Sequence, residues 1–202
     1  MILARRGLIG LTLALMLPFT AAAAPAPVSA EDRVLGRADA PVTIVAYVSP
    51  TCGHCGEWGV NDLPVLRARY VETGRARIVF REIMTAPPTL AMAATAIARC
   101  APAEAYFDVM ADLFGGQHDL FHDGETSAWL RSAARTGGLD DAAVRRCLED
   151  QPALERIQAR EDRAVAEGVT STPTFFINGR RMERHALSDF EAEMNRLAPA
   201  GR

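Results

Sequence analysis

The run Ser49-Pro50-Thr51-Cys52-Gly53-His54-Cys55-Gly56-Glu57-Trp58 decides how the rest of the chain is read. Before it stands an unbroken apolar run, Val42-Thr43-Ile44-Val45-Ala46-Tyr47-Val48, with the character of a buried strand. After it, Val60, Leu63, Leu66 and Tyr70 recur at helical spacing. A C-x-x-C pair therefore sits where a strand ends and a helix begins, a placement suited to redox chemistry. Cysteines so spaced on a first helical turn can close a local disulfide. The first of them, Cys52, meets unpaired backbone N–H groups and the positive end of the helix dipole, which favour thiolate over thiol. His54 lies within reach of the Cys52 sulfur, and an N–H-donating imidazole there favours the thiolate further. Cys52, Cys55 and His54 are the expected catalytic residues.

Other uses of the pair fit less well. A zinc half-site wants a second C-x-x-C or paired histidines, whereas Cys100 and Cys147 are isolated. Covalent haem attachment needs His after the second cysteine, and position 56 is Gly. A purely structural C-x-x-C disulfide is the remaining alternative, and His54 argues against it. His118 and His122 are spaced i to i+4 in a Gly- and Asp-rich segment without a third ligand in reach, so a solvated loop is expected and no metal site. His185 has no visible partner. Trp58, Phe107 and Trp129 read as core or groove wall, and no cofactor motif occurs.

The 202 residues suffice for one domain with a full core. Residues 1–30 read as a secretory signal peptide outside that domain: Arg5-Arg6, an apolar stretch over 7–19, then an Ala-rich segment with small residues such as Val28-Ser29-Ala30. The apolar stretch is short for a membrane span, which sets an uncleaved anchor in second place. All 22 basic residues are Arg. Loss of a leader holding two of them leaves 20 basic against 25 acidic residues, with no basic tract, so nucleic acid is not implied. Export places the mature protein, expected in the periplasm, where disulfides persist.

In chain order, residues 31–40 form a polar lead-in and 42–48 the first strand, with Pro41 at its start. A helix over about 52–71 carries Pro64, which should kink it, and stops at Gly74. Residues 76–83 read as the second strand, parallel to the first through a right-handed crossover. Pro87-Pro88 breaks the chain. Helices are expected over 89–99, 102–113, 127–136, 141–149 and 152–167, with a loop at 115–124. Together, about 88–167 is a helical insertion between the second and third core strands. Thr174-Phe175-Phe176-Ile177 restores the strand pattern, Asn178-Gly179 is a hairpin turn, and 180–184 returns. Ser188-Asp189-Phe190-Glu191 reads as a capping box for a last helix to about 197.

Three stretches together resemble the thioredoxin superfamily, specifically DsbA-like thiol:disulfide oxidoreductases: Val42–Val45 leading to Cys52-Gly53-His54-Cys55, Ile78-Val79-Phe80-Arg81-Glu82, and Gly168–Gly179 with its Thr172-Pro173-Thr174-Phe175 strand entry. The likeness spans roughly 33–197 and implies an α/β, thioredoxin-like fold with a helical insertion. It implies a cis Pro173 facing the cysteines, with Thr172 and Pro173 binding an extended substrate strand. It also implies reduced exported proteins as substrates and a DsbB-like membrane oxidase as recharging partner. Two features depart from the pattern. Many relatives carry a carboxylate six positions before the first cysteine, and here that residue is Ala46, which leaves Glu57, Glu82 or water to move the proton at Cys55. Gly53-His54 resembles the dipeptide of protein disulfide isomerases, which suggests a milder potential within the family's range of about −270 to −120 mV. Dedicated bacterial isomerases add an N-terminal dimerisation domain; the short lead-in leaves no room for one, and a monomer is expected. The favoured activity is thus an envelope thiol oxidase, the alternative an isomerase or reductase of the same fold, and a non-enzymatic holdase the third reading. In an exported protein the even pair Cys100 and Cys147 is expected to form a structural disulfide, with a second redox couple or free thiols as alternatives.

Overall fold

The computed structural model describes residues 24–198. The N-terminal basic and apolar parts of the expected leader lie outside that range. A five-stranded mixed sheet forms the centre, built from β1 (Arg33–Leu35), β2 (Val42–Val48), β3 (Ala76–Glu82), β4 (Thr174–Ile177) and β5 (Arg180–Arg181), in spatial order β1-β3-β2-β4-β5. β2 and β3 run parallel with Ile44 opposite Ile78, while β1, β4 and β5 join antiparallel. The continuous apolar run of β2 is explained by two cores. Ile44, Ala46 and Val48 face one with Ile78, Phe80, Phe175 and Ile177. Val45 and Tyr47 face the other with Val79 and Phe176. Successive strand residues point to opposite faces, so a strand covered on both sides needs no polar positions.

The active-site helix is interrupted rather than simply bent. It runs as α1 (Gly53–Asn61), restarts as α2 (Leu63–Leu66) and ends in a π-helical turn at Arg67–Val71. Pro64 has no N–H for the carbonyl four residues back, and the chain yields at Asp62 (φ −102°). The insertion holds α3 (Pro88–Cys100), α4 (Tyr106–Gly115), α5 (Gln117–Asp123), α6 (Thr126–Thr136), α7 (Asp141–Glu149) and α8 (Gln151–Ala166). The side chains of Asp140 and Asp150 cap α7 and α8, accepting from the N–H groups of Ala143 (2.7 Å) and Ala153 (3.1 Å). The last helix is α9 (Leu187–Leu197).

Several expectations are corrected. The lead-in at 31–40 contains β1, which pairs its backbone with β3 across the sheet edge. The expected loop at 115–124 is α5, because Leu120 and Gln117 turn inward and give this short polar segment a buried face. The helix expected from 102 starts at Tyr106, and α6 is preceded by Glu125 instead of being capped by Ser127. The returning strand covers only Arg180–Arg181. α9 starts after Ala186, whose N–H donates to the Asp189 carboxylate (3.0 Å), so the capping acid is Asp189 and Ser188 plays no such part. Upstream of β1, Ala26 already docks: its N–H reaches the Glu167 carboxylate (3.2 Å) and its carbonyl accepts from Arg81 (2.9 Å).

Candidate active site

Cys52 is the N-cap of α1, with extended backbone (φ −90°, ψ 117°) and no side-chain cap bond, so its sulfur meets the open N–H groups of the first turn. Cys52 is half-buried, whereas Cys55, one turn on, is fully buried. The two thiols are not bonded to each other here. Their chemistry is asymmetric. Cys52 is held at about 5, far below an ordinary thiol. The hydrogen bond from the Cys55 thiol lowers it most. Burial opposes this, and the Thr172 side chain and the N–H groups of Cys55 and His54 lower it further. Burial pushes Cys55 far above the ordinary range, and its hydrogen bond to Cys52 and the charge there add to that. Within one turn the chain thus holds an exposed-side thiolate and a buried neutral thiol.

The third strand entry closes the site. The Thr172–Pro173 bond is cis, as the resemblance implied. Cys52 Sγ stands 3.4 Å from the Thr172 carbonyl oxygen, and both Thr172 and Pro173 are partly exposed beside it. The chain therefore brings Cys52, Cys55, Thr172 and Pro173 together from positions about 120 residues apart. The His54 side chain is exposed, and the His54 backbone N–H is among the groups that lower Cys52.

Proton-handling groups near the pair are few. Ala46 is fully buried in β2 between Phe80 and Phe175. Glu82 is buried, but both its oxygens are engaged, one by Arg99 (2.7 Å) and the other by the Tyr106 hydroxyl. Glu57 is exposed. Of the three substitutes named for the missing carboxylate, Glu82 is thus committed to an ion pair elsewhere.

Sequence reasoning missed the groups that hold the loop in place. Gln117 of α5 is buried and donates from Nε2 to the carbonyls of Pro50 (2.7 Å) and Cys52 (3.1 Å). It sits so close to α1 that a Cβ on Gly56 would lie 2.1 Å from its Oε1. Ser49, Thr51 and Thr85 form a hydroxyl cluster beneath the loop, with Thr85 Oγ1 donating to Ser49 Oγ (2.8 Å) and Thr51 Oγ1 to the Thr85 carbonyl (3.1 Å). The Ser49 N–H points at Cys55 Sγ (3.5 Å). A Gln in a polar segment carries no signal of burial.

The other candidates are placed as follows. Cys100 and Cys147 are disulfide-bonded, with Cα atoms 6.0 Å apart, joining α3 to α7. His118 and His122 are on α5, not in a loop; their rings stack at 4.4 Å. Among the described residues no group of three or more His, Cys, Asp and Glu could hold a metal. His185 packs against Phe175 (5.4 Å). Trp58 is core, 4.9 Å from Phe175 and 5.9 Å from Phe80, and Phe107 and Trp129 are buried too. Among the described residues no helix is long and apolar enough to cross a membrane.

A protein-family model described as "Thioredoxin" matches residues 29–195. The chain belongs to this thioredoxin family. Among curated proteins it is similar to the "Putative protein-disulfide oxidoreductase" of Rickettsia bellii, at 28% identity over 82% of this chain and 64% of that protein. It spans 59–64% of the length of the Rickettsia relatives it matches. Among solved structures it resembles Wolbachia pipientis α-DsbA1, with TM-score 0.75 and 24% identity, covering 85% of this chain and 92% of that one. BdbD from Bacillus subtilis follows at TM-score 0.73 and 17% identity, covering 87% and 97%. At such identities the structural likeness carries the fold alone: a thioredoxin-type fold with a helical insertion, as in these DsbA structures.

Proposed function

We propose that this thioredoxin-family protein is an exported thiol:disulfide oxidoreductase of DsbA type, working in the periplasm to introduce disulfides into exported proteins. The observation that carries this reading is the asymmetry of the pair, a stabilised Cys52 thiolate beside a buried, protonated Cys55. Oxidised, the pair is a Cys52–Cys55 disulfide. A substrate thiolate attacks Cys52 Sγ, the Cys52–Cys55 bond breaks, and Cys55 leaves and takes up a proton. A second substrate thiolate then attacks the substrate sulfur of the mixed disulfide and expels Cys52 as a thiolate. The substrate gains a disulfide, and the two electrons remain on the protein as the reduced pair. A low pKa makes Cys52 the better leaving group and stabilises the reduced form, which is what an oxidant requires.

The exposed edge at Thr172 and Pro173 is the surface on which an extended substrate strand pairs, bringing its cysteine toward Cys52. His54, exposed on the rim, tunes Cys52 from the solvent side. A DsbB-like membrane oxidase recharges the pair, and the protein acts as a monomer. Cys100–Cys147 is a structural clamp of the insertion. The export leader lies within residues 1–30.

The test is the redox equilibrium of the pair in glutathione buffers, read by alkylation and mass mapping so that Cys52–Cys55 is separated from Cys100–Cys147. A potential near about −120 mV supports an oxidase. One near about −200 mV or below favours the isomerase or reductase reading that Gly53-His54 suggests.

A further inference from the structure

Where β1, α3, α7 and α8 meet, a cavity of about 320 Å³ opens that shares no residue with the thiol site. Four arginines line it, Arg33, Arg99, Arg156 and Arg160, against two acids, Glu31 and Asp150. The Asp150 carboxylate is occupied as the cap of α8. Arg99 is neutralised by Glu82 (2.7 Å), which lies behind it in the core. Among the described residues, Arg33, Arg156 and Arg160 form no ion pair within 4.0 Å. The Nε atoms of Arg33, Arg99 and Arg160 are buried with no hydrogen-bond partner.

Such an arrangement is costly in an otherwise well-paired protein. Like charges converge from separate elements, and buried N–H donors have lost water with nothing in return. Burial, and then the charge of Arg99, pulls Arg160 below the ordinary guanidinium range. An anion placed in the cavity offsets the converging charge of the arginines that line it. Guanidinium forks match tetrahedral phosphate bidentately and tolerate desolvation better than ammonium groups. Ala96, Ala153 and Ile157 supply an apolar wall for the remainder of a larger ligand.

We propose that this arginine-lined cavity binds a small phosphate-bearing anion, with Arg33, Arg156 and Arg160 as its cationic ligands. Isothermal titration of the purified protein with inorganic pyrophosphate, and with inorganic phosphate, at low ionic strength tests it. Saturable binding at one site is expected, weakened about tenfold or more in both Arg156→Gln and Arg160→Gln, the range for a lost charge-assisted contact. Arg156 is exposed at the rim, so its variant keeps the fold, checked by circular dichroism. The alkylation rate of Cys52 should not change in either variant. Absence of saturable heat, binding that is unchanged in both variants, or tighter binding of succinate than of either phosphate overturns the proposal.

Discussion

Replacing Cys55 by Ala tests what holds the Cys52 charge. The Cys55 thiol is the largest stabilising influence on the Cys52 thiolate, which stands at about 5. A hydrogen bond to a charged acceptor contributes about 1.5–3 kcal/mol. At about 1.4 kcal/mol per pH unit, that is about one to two units of titration midpoint. Cys52 is half-exposed, and solvent screening favours the lower part of this range. The Cys52 midpoint of Cys55→Ala is therefore expected to rise from about 5 to about 6. Cys55→Ser, which restores a donor at the same place, should fall between. The thiolate's ultraviolet absorbance against pH measures the midpoint, and the rate of alkylation by iodoacetamide gives a second readout. If Cys55→Ala still titrates at about 5, the thiol contact is not the main support. The charge would then rest on the first-turn N–H groups and the Thr172 side chain. Because the Cys55 site is fully buried, circular dichroism must show the variant folded before its midpoint is interpreted.

Other outcomes follow from the same contacts. Because the folded pKa of Cys52 is depressed, its contribution to the reduced protein is fully present above the ordinary thiol pKa of about 9 and is lost as pH falls through about 5. Urea unfolding of the reduced protein against Cys52→Ala should therefore show an advantage that shrinks from pH 9 to pH 5; a constant difference refutes the linkage. Gln117→Ala should cost about 1–3 kcal/mol by stranding the Pro50 and Cys52 carbonyls, and Gly56→Ala should cost less in the Gln117→Ala background than alone. Additive costs would mean the two do not share that space. Glu82→Gln leaves Arg99 as an uncompensated, largely buried charge and should lower stability by about 3–5 kcal/mol, read by denaturant midpoint; a loss under about 1 kcal/mol would show that water compensates. Replacing both Cys100 and Cys147 by Ala opens a loop of separation 47 and should cost roughly 4 kcal/mol, without moving the Cys52 midpoint.

Local patterns carried a large share of this protein on their own. The strand-to-helix placement of Cys52-Gly53-His54-Cys55, the Asn178-Gly179 turn and the Asp140 cap each depend on contacts within a few residues, and the unbroken apolar run of β2 announces a buried strand by composition. Such contacts are written directly in sequence spacing, and with the Thr172-Pro173-Thr174-Phe175 entry the same stretches carried the resemblance that implied the thioredoxin architecture. What sequence could not supply depends on burial across long separations. β1 was hidden in a polar lead-in because its stability comes from the backbone of β3, which any side chain permits. α5 read as a loop because its helix is held by packing at Leu120 and Gln117, not by propensity. Glu82 looked available beside the thiols until the fold placed Arg99 and Tyr106 on its two oxygens. The sequence determined that a reactive thiol pair exists and where its helix begins. Tertiary structure decided what reinforces the thiolate expected at Cys52 and keeps Cys55 neutral, because exposure, the Thr172 side chain and the Gln117 brace on the loop arise only when distant segments pack together.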